Sequence, residues 1–217
     1  MNRADSSATT RRTRSDGRRS HQAILDAAAR LATVEGLNGL SIGNLADHIG
    51  MSKSGLYAHF GSKEELQLAT VDTAAQIFND QVVEPAADAA PGRVRLWRLS
   101  ESFLSHLERR VFPGGCFFAS AGAELDTQPG VVRQAVAEFQ LDWLHALEDA
   151  ARDAIAAGEL PLEIDAEQLA FEVDAMLLAA NAAFVLTDDR GAIERARVGV
   201  TRLLGPPPRP ARRGRKR

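Results

Sequence analysis

Apolar positions recur with a helical period along most of this chain. Ile24, Ala28 and Leu31, flanked by Leu25 and Ala32, fall on one face and predict a first helix over about Ser20 to Val34. Gly36 and Gly39 interrupt the pattern. Ile42, Leu45, Ala46 and Ile49 then recur at i, i+3, i+4 and i+7, behind Ser41 as an N-cap and ahead of Gly50, where a turn needs φ > 0. Ser52 caps a second short helix that turns Leu56 and Phe60 inward. Two short helices joined by a glycine-containing turn make a helix-turn-helix pattern. Ser62 and Glu65 read as a capping box that opens a fourth helix running to about Val83.

The remaining pattern is also helical. Pro85 to Gly92 is a break and a candidate boundary. Val94, Trp97, Phe103, Leu104 and Leu107 mark a helix that ends at Phe112-Pro113-Gly114-Gly115, and a short helix of small residues follows Cys116. Val132, Val136, Phe139, Trp143, Leu147 and Ala151 form the inner stripe of a long helix over Val131 to about Ala157. From Ala166 to Leu186 apolar residues cover nearly the whole circumference, so this helix is expected to be buried on several sides, in part against a second copy. Ile193, Ala196, Val200 and Leu203 line the last helix, and Gly205-Pro206-Pro207-Pro208 ends it. The expected fold is all-α with about nine helices: a three-helix reading domain and a larger helical domain.

Opposite Leu56 and Phe60, the second helix of the motif presents Ser54 and Ala58, with Gly55 and Tyr57 beside them and Lys53 near its start. A face so small and polar lets a helix backbone approach base edges, although ordinary surface helices share the pattern. The residue identities go further. Gly-Met-Ser-Lys-Ser-Gly-Leu-Tyr-Ala-His-Phe-Gly-Ser-Lys-Glu-Glu-Leu, from Gly50 to Leu66, resembles the signature of the TetR (tetracycline repressor) family, and Ala23 to Ala32 resembles that family's first helix. The resemblance spans about Ser20 to Leu68 and implies a dimeric, all-helical regulator of transcription. It implies that Ser41, Tyr57, His59 and Lys63 touch phosphates, and that Lys53 and Ser54, behind the cap Ser52, touch base edges or nearby phosphates. Ala58 would meet a thymine methyl group. The family pattern usually has a larger side chain where this chain has Gly55, so DNA shape is expected to matter more here than direct hydrogen bonds.

Composition sharpens this picture. The net charge is −3, yet Arg3, Arg11, Arg12, Arg14, Arg18 and Arg19 crowd the start, and Arg209, Arg212, Arg213, Arg215, Lys216 and Arg217 crowd the end. Basic ends on an acidic body suit phosphate binding. Residues 1–17 are expected to be a disordered arm able to follow a minor groove, with Arg18 and Arg19 at its junction with the reader. Residues 18–78 form the DNA-binding domain, 79–205 the ligand-binding and dimerisation domain, and 206–217 a disordered basic tail. One cysteine, no secretory signal and no apolar run near the ~20 residues of a membrane span point to the cytoplasm and away from a membrane.

The expected partners are double-stranded DNA, an unidentified small molecule, and a second copy held through residues 166–204. Trp97, Phe103, Cys116, Phe117, Phe139, Trp143, Met176, Asn181 and Phe184 are the pocket candidates, each also an ordinary core residue by type. No cofactor, metal or catalytic residue is expected: His106 and Cys116 lie on separate elements, His145 falls on a polar face, and no phosphate loop or serine elbow is present. Beside a ligand-released repressor binding a pseudo-palindrome stands a second possibility, a ligand-independent activator or DNA-organising protein.

Overall fold

The computed structural model describes the backbone of residues 5–206 and the side chains of residues 19–206. Among these residues every regular element is helical: α1 Asp5–Glu35, α2 Ile42–Ile49, α3 Lys53–Tyr57, α4 Lys63–Phe78, α5 Glu84–Ala87, α6 Arg93–Glu108, α7 Phe117–Leu125, α8 Val131–Ala156, α9 Ala166–Thr187 and α10 Arg190–Leu204. A π-helical turn, Asn79–Val83, joins α4 to α5. The all-α expectation holds.

Three boundaries differ from the reading of the sequence. Helix α1 begins at Asp5, so the backbone of residues 5–16 is helical where an irregular arm was expected. The arm contains no proline, and its Arg, Ala and Ser residues tolerate helix. The expected break, Pro85 to Gly92, starts later than its proline, which stands in the first turn of α5. The chain turns only after Ala87. Helix α6 stops at Glu108, ahead of the expected Phe112. The tail from residue 207 on and residues 1–4 lie outside the described residues.

The chain forms two compact units. One unit holds the chain up to Gln76 together with Phe112–Ala137; the other holds Ile77–Val111 and the chain from Glu138 on. The first unit has a core of Leu25, Ala28, Leu40, Leu45, Leu56, Phe60, Leu66, Phe117 and Leu125. Its glycines explain one close approach: a Cβ at Gly114 would lie 1.8 Å from the carbonyl oxygen of Thr33. The Gly114 amide also donates to Thr33 Oγ1 at 3.1 Å. A Gly-Gly stretch that reads as a helix stop therefore seats the backbone against α1.

In the second unit, Val136's successors on α8 behave as the stripe predicts, with Trp143, Leu147 and Ala151 buried and Phe139 half-buried. Phe78, Phe103, Phe139 and Trp143 form an aromatic cluster. Phe103 stacks on Trp143 at 6.0 Å, and Phe78 meets Phe139 and Trp143 edge-on at 5.1 Å each. Arg197 of α10 fixes that helix to α6: its guanidinium donates three bonds to Glu101 and two to Glu108, at 2.8–3.2 Å. Such forks are stronger than point contacts, and they hold the Glu108 carboxyl below its usual range.

Helix α9 departs most from expectation. Leu169, Val173, Leu177, Ala180 and Phe184 are buried, but Phe171 is 63% exposed and Leu186 86%. In one chain α9 is covered along one face only. By length and composition it is apolar enough to cross a bilayer, with a mean hydropathy of 1.7, a property that the same composition gives the core helix of a folded domain.

Candidate nucleic-acid interface

Helix α2 starts as the sequence requires. The Asn44 amide donates to Ser41 Oγ at 3.2 Å, and the Ser41 amide donates to Asn44 Oδ1 at 2.7 Å, closing a capping box with Asn in the place of Glu. Ile42, Leu45 and Ala46 are buried and Ile49 half-buried. Gly50 ends the helix at φ 71°, and the Met51 amide donates to the carbonyl of Ala46 at 3.0 Å.

Helix α3 is a single short turn and a half, Lys53–Tyr57, anchored by buried Leu56 and, just after it, Phe60. The Gly55 amide donates to Ser52 Oγ at 3.1 Å. A Cβ at Gly55 would stand 3.0 Å from that same oxygen, so a side chain here competes with the cap. This gives a local reason for glycine where a side-chain contact to bases was in question. Ser52, Lys53, Ser54, Tyr57 and Ala58 are all exposed, and Tyr57 is 60% exposed despite its apolar ring. Lys53 is loosely paired with Asp47 at 3.9 Å, both well exposed. Such a pair is weak and easily exchanged for a phosphate.

The other expected contacts are engaged within the protein. His59 is half-buried, with Nδ1 3.4 Å from Nδ1 of His21, and His21 stacks on Phe60 at 5.0 Å. Lys63 Nζ donates to the carbonyl of Asn38. Ser62 Oγ accepts from the Glu65 amide at 3.0 Å, but Glu65 Oε2 accepts from Gly61 at 2.8 Å, one residue earlier than a regular box. Arg19 is exposed on α1. The Arg18 side chain and those of the earlier arginines lie outside the described side chains.

Two models of known families match the chain. The first, bacterial regulatory proteins of the tetR family, matches residues 24–70, which hold α2, α3 and the start of α4. The second, the tetracyclin repressor-like C-terminal domain, matches residues 92–200. The chain belongs to the TetR family. Its TetR-family relatives include the transcriptional regulator AcuR of Cereibacter sphaeroides, 25% identical over 159 residues and covering 71% of each chain. The regulator AcrR of Shigella flexneri is 25% identical over 159 residues, 71% of this chain and 73% of its own. Among solved structures, a TetR regulator from Chloroflexus aurantiacus aligns with a TM-score of 0.78 at 27% identity, over 87% of this chain and 94% of that one. AibR, solved with isovaleryl coenzyme A and operator DNA, aligns with a TM-score of 0.69 at 26% identity, over 86% and 98%. The protein is a DNA-binding transcriptional regulator of this family.

The pocket candidates divide between the two units. Cys116 and Phe117 are buried in the unit of the reader. Phe103, Phe139 and Trp143 belong to the aromatic cluster of the second unit. Asn181 is buried, Phe184 lies under the Arg110 guanidinium at 4.5 Å, and Met176 is half-buried, its sulfur close against Gly199. A cavity of about 460 Å³ between α6 and α10 is lined by Val94, Trp97, Arg98, Glu101, Glu194, Arg197 and Thr201. Of the nine candidates it includes Trp97 alone.

His106 and Asp174 are ionisable groups near the aromatic cluster. His106 packs 6.0 Å from Phe78, and burial, helped by the positive charge of Arg109, lowers its pKa to about 4. Its imidazole is neutral at neutral pH. Asp174 accepts a bond from Trp143 Nε1 at 2.8 Å, and burial pushes its carboxyl above the usual range against the pull of that bond. Among the described residues no group of three or more His, Cys, Asp or Glu side chains is arranged to hold a metal.

Proposed function

We propose that the protein is a ligand-released repressor that binds a pseudo-palindromic operator as a homodimer. The face of α3 carries the DNA half of this reading: exposed Lys53, Ser54 and Tyr57 around the nearly bare backbone at Gly55 and Ala58. Lys53 and Ser54 meet base edges or neighbouring phosphates, while Ser41, Tyr57, His59 and Lys63 set the register on the backbone. Arg18, Arg19 and the basic stretch before them add phosphate contacts that fall off with salt. The short side chains at 55 and 58 leave more of the selection to groove shape.

The dimer half is supported by α9. Phe171, Ala175, Leu178, Ala182 and Val185 are all exposed and alternate at spacings of four and three residues, the repeat by which one helix seats against another. Val198 of α10 is 43% exposed as well. A twofold pairing through α9 and α10 covers this line and presents two α3 helices to successive major grooves. A ligand in the second unit then favours a dimer in which those helices are wrongly spaced, so ligand and operator weaken each other reciprocally.

Selection of bound duplexes from a random pool tests the reading. The expected product is an inverted repeat bound by a dimer, and a non-repeating or sequence-blind product overturns it. AibR's isovaleryl coenzyme A makes short acyl-coenzyme A thioesters the first compounds to try as releasing ligands.

A further inference from the structure

We infer that Glu124 of α7 is a positioning residue for operator reading: its carboxylate clasps the turn between α1 and α2 and so fixes where α2, and α3 behind it, begin. The inference rests on the operator-binding reading above. Glu124 Oε2 accepts from the Leu37 amide at 2.7 Å and Oε1 accepts from the Asn38 amide at 2.8 Å. These are consecutive backbone donors in a turn outside both helices, and a carboxylate bonds such donors about twice as strongly as a neutral acceptor does.

The approach depends on Gly36. Its φ is +83°, and a Cβ there would lie 2.8 Å from Glu124 Oε1, so both the turn and the seat of the carboxylate require glycine. From the other side α4 takes the carbonyls of the same two residues. Gln67 Nε2 donates to the Leu37 carbonyl at 2.7 Å, and Lys63 Nζ donates to that of Asn38. The Asn38 side chain donates to Gln128 Oε1 at 3.0 Å, and Gln128 donates back to the Glu124 carbonyl at 3.0 Å. Both peptide groups of the turn are thus held by side chains from distant sequence. One residue on, the carbonyl of Gly39 accepts from Asn44 Nδ2 at 2.7 Å, and Asn44 is the side chain that closes the α2 cap. Two sets of hydrogen bonds, joined by the Asn38–Gly39 peptide link, thus lead from α7 to the start of α2.

Only a carboxylate fits this seat. Glutamine keeps one acceptor and turns an N–H toward an N–H, which leaves a donor unpaired. The test uses the full-length protein with Glu124→Gln, near-isosteric, and Glu124→Ala. Affinities for the selected operator and for a scrambled duplex are compared, together with amide hydrogen exchange over residues 36–40 and 52–60. The expected result is a roughly tenfold loss of operator affinity with scrambled-duplex binding unchanged. Exchange should rise in both segments. An unchanged ratio of operator to scrambled affinity, with faster exchange confined to residues 36–40, overturns the inference and leaves a local brace. If the wild-type protein selects no duplex, the operator reading fails, and exchange alone decides the clasp: spread to residues 52–60 supports it, confinement overturns it.

Discussion

Helices α3 and α9 each leave a face uncovered, and the two faces have opposite chemistry. The face of α3 is short and polar, with Ser54, Lys53 and the Tyr57 hydroxyl able to hydrogen-bond water. That of α9 is apolar from Phe171 to Val185. Water solvates the first at little cost, so α3 can wait for a partner and release it again. The second is unfavourable in water in proportion to its apolar area, so it calls for a partner that stays. On the proposed function, the difference separates a transient contact with a polyanion from a lasting contact with another protein chain.

The sharpest way to break this comparison is to put a charge on α9. Leu178→Arg is expected to raise the dimer dissociation constant by roughly a hundredfold, because pairing would bury an unmatched guanidinium. Sedimentation across a concentration series reads this directly. Operator affinity should fall with it, since one α3 reaches only a half-site. If the variant stays dimeric at low concentration, the apolar line of α9 is not the interface.

The next effect belongs to the same unit as α9 and should be missing from the reader. Burial lowers the folded pKa of His106 from the ordinary imidazole value of 6.5 to about 4. The unfolded chain therefore binds more protons between those values, and stability is full above about pH 6.5 and falls as pH drops toward 4. At about 1.4 kcal/mol per pH unit the loss approaches 3 kcal/mol. Denaturant melts along this range should show an acid limb that His106→Gln flattens. A limb that survives the substitution places the acid sensitivity elsewhere. Smaller again is Tyr57→Ala on the exposed face of α3. Operator binding should weaken about tenfold with the melting temperature unchanged, as for a contact made only with DNA. A fall in melting temperature would mean that Tyr57 supports the fold instead.

The reader was legible because its signals are local. Ser41, Gly50 and Ser52 each act within four residues of their own position, so capping and turn chemistry could be read from spacing. The family signature from Gly50 to Leu66 covers the same stretch. What escaped the sequence acts at long range. Glu124 lies 87 residues from Leu37, and nothing in the pattern of α7 announces that its carboxylate serves a distant turn. Gly114 and Gly115 look like a stop signal, yet the absence of side chains there brings backbone to backbone. Asn44 closed the α2 cap in a place where a Glu or Gln was the expected sign. The aromatic stripe of α8 was readable as a stripe, but that Cys116 and Phe117 join one unit and Phe103 and Trp143 the other is a matter of packing. Helical periodicity gives the side of a helix and says nothing of which compact unit that side joins.

The smallest expected effect tests the inward flank of α9. Asp174 stands between Phe171 and Leu178 in sequence, yet it turns to Trp143, whose indole N–H it accepts. Burial raises its pKa above the ordinary carboxylate range, so the folded chain holds this proton more readily than the unfolded chain does. Stability contributed by the protonated acid is present below the ordinary carboxylate range and is lost as pH rises through the raised folded value. Where the carboxylate is ionised, its burial is therefore a burden on the fold. Asp174→Asn keeps an oxygen for Trp143 and removes the charge, so it should raise stability at neutral pH by under about 1 kcal/mol. The gain should shrink as acid protonates the wild-type carboxylate, which melts at two pH values would show. A variant less stable than wild type at neutral pH would mean that the charge itself has an attractive partner in the dimer, and the apolar account of α9 would then be incomplete on its inner side.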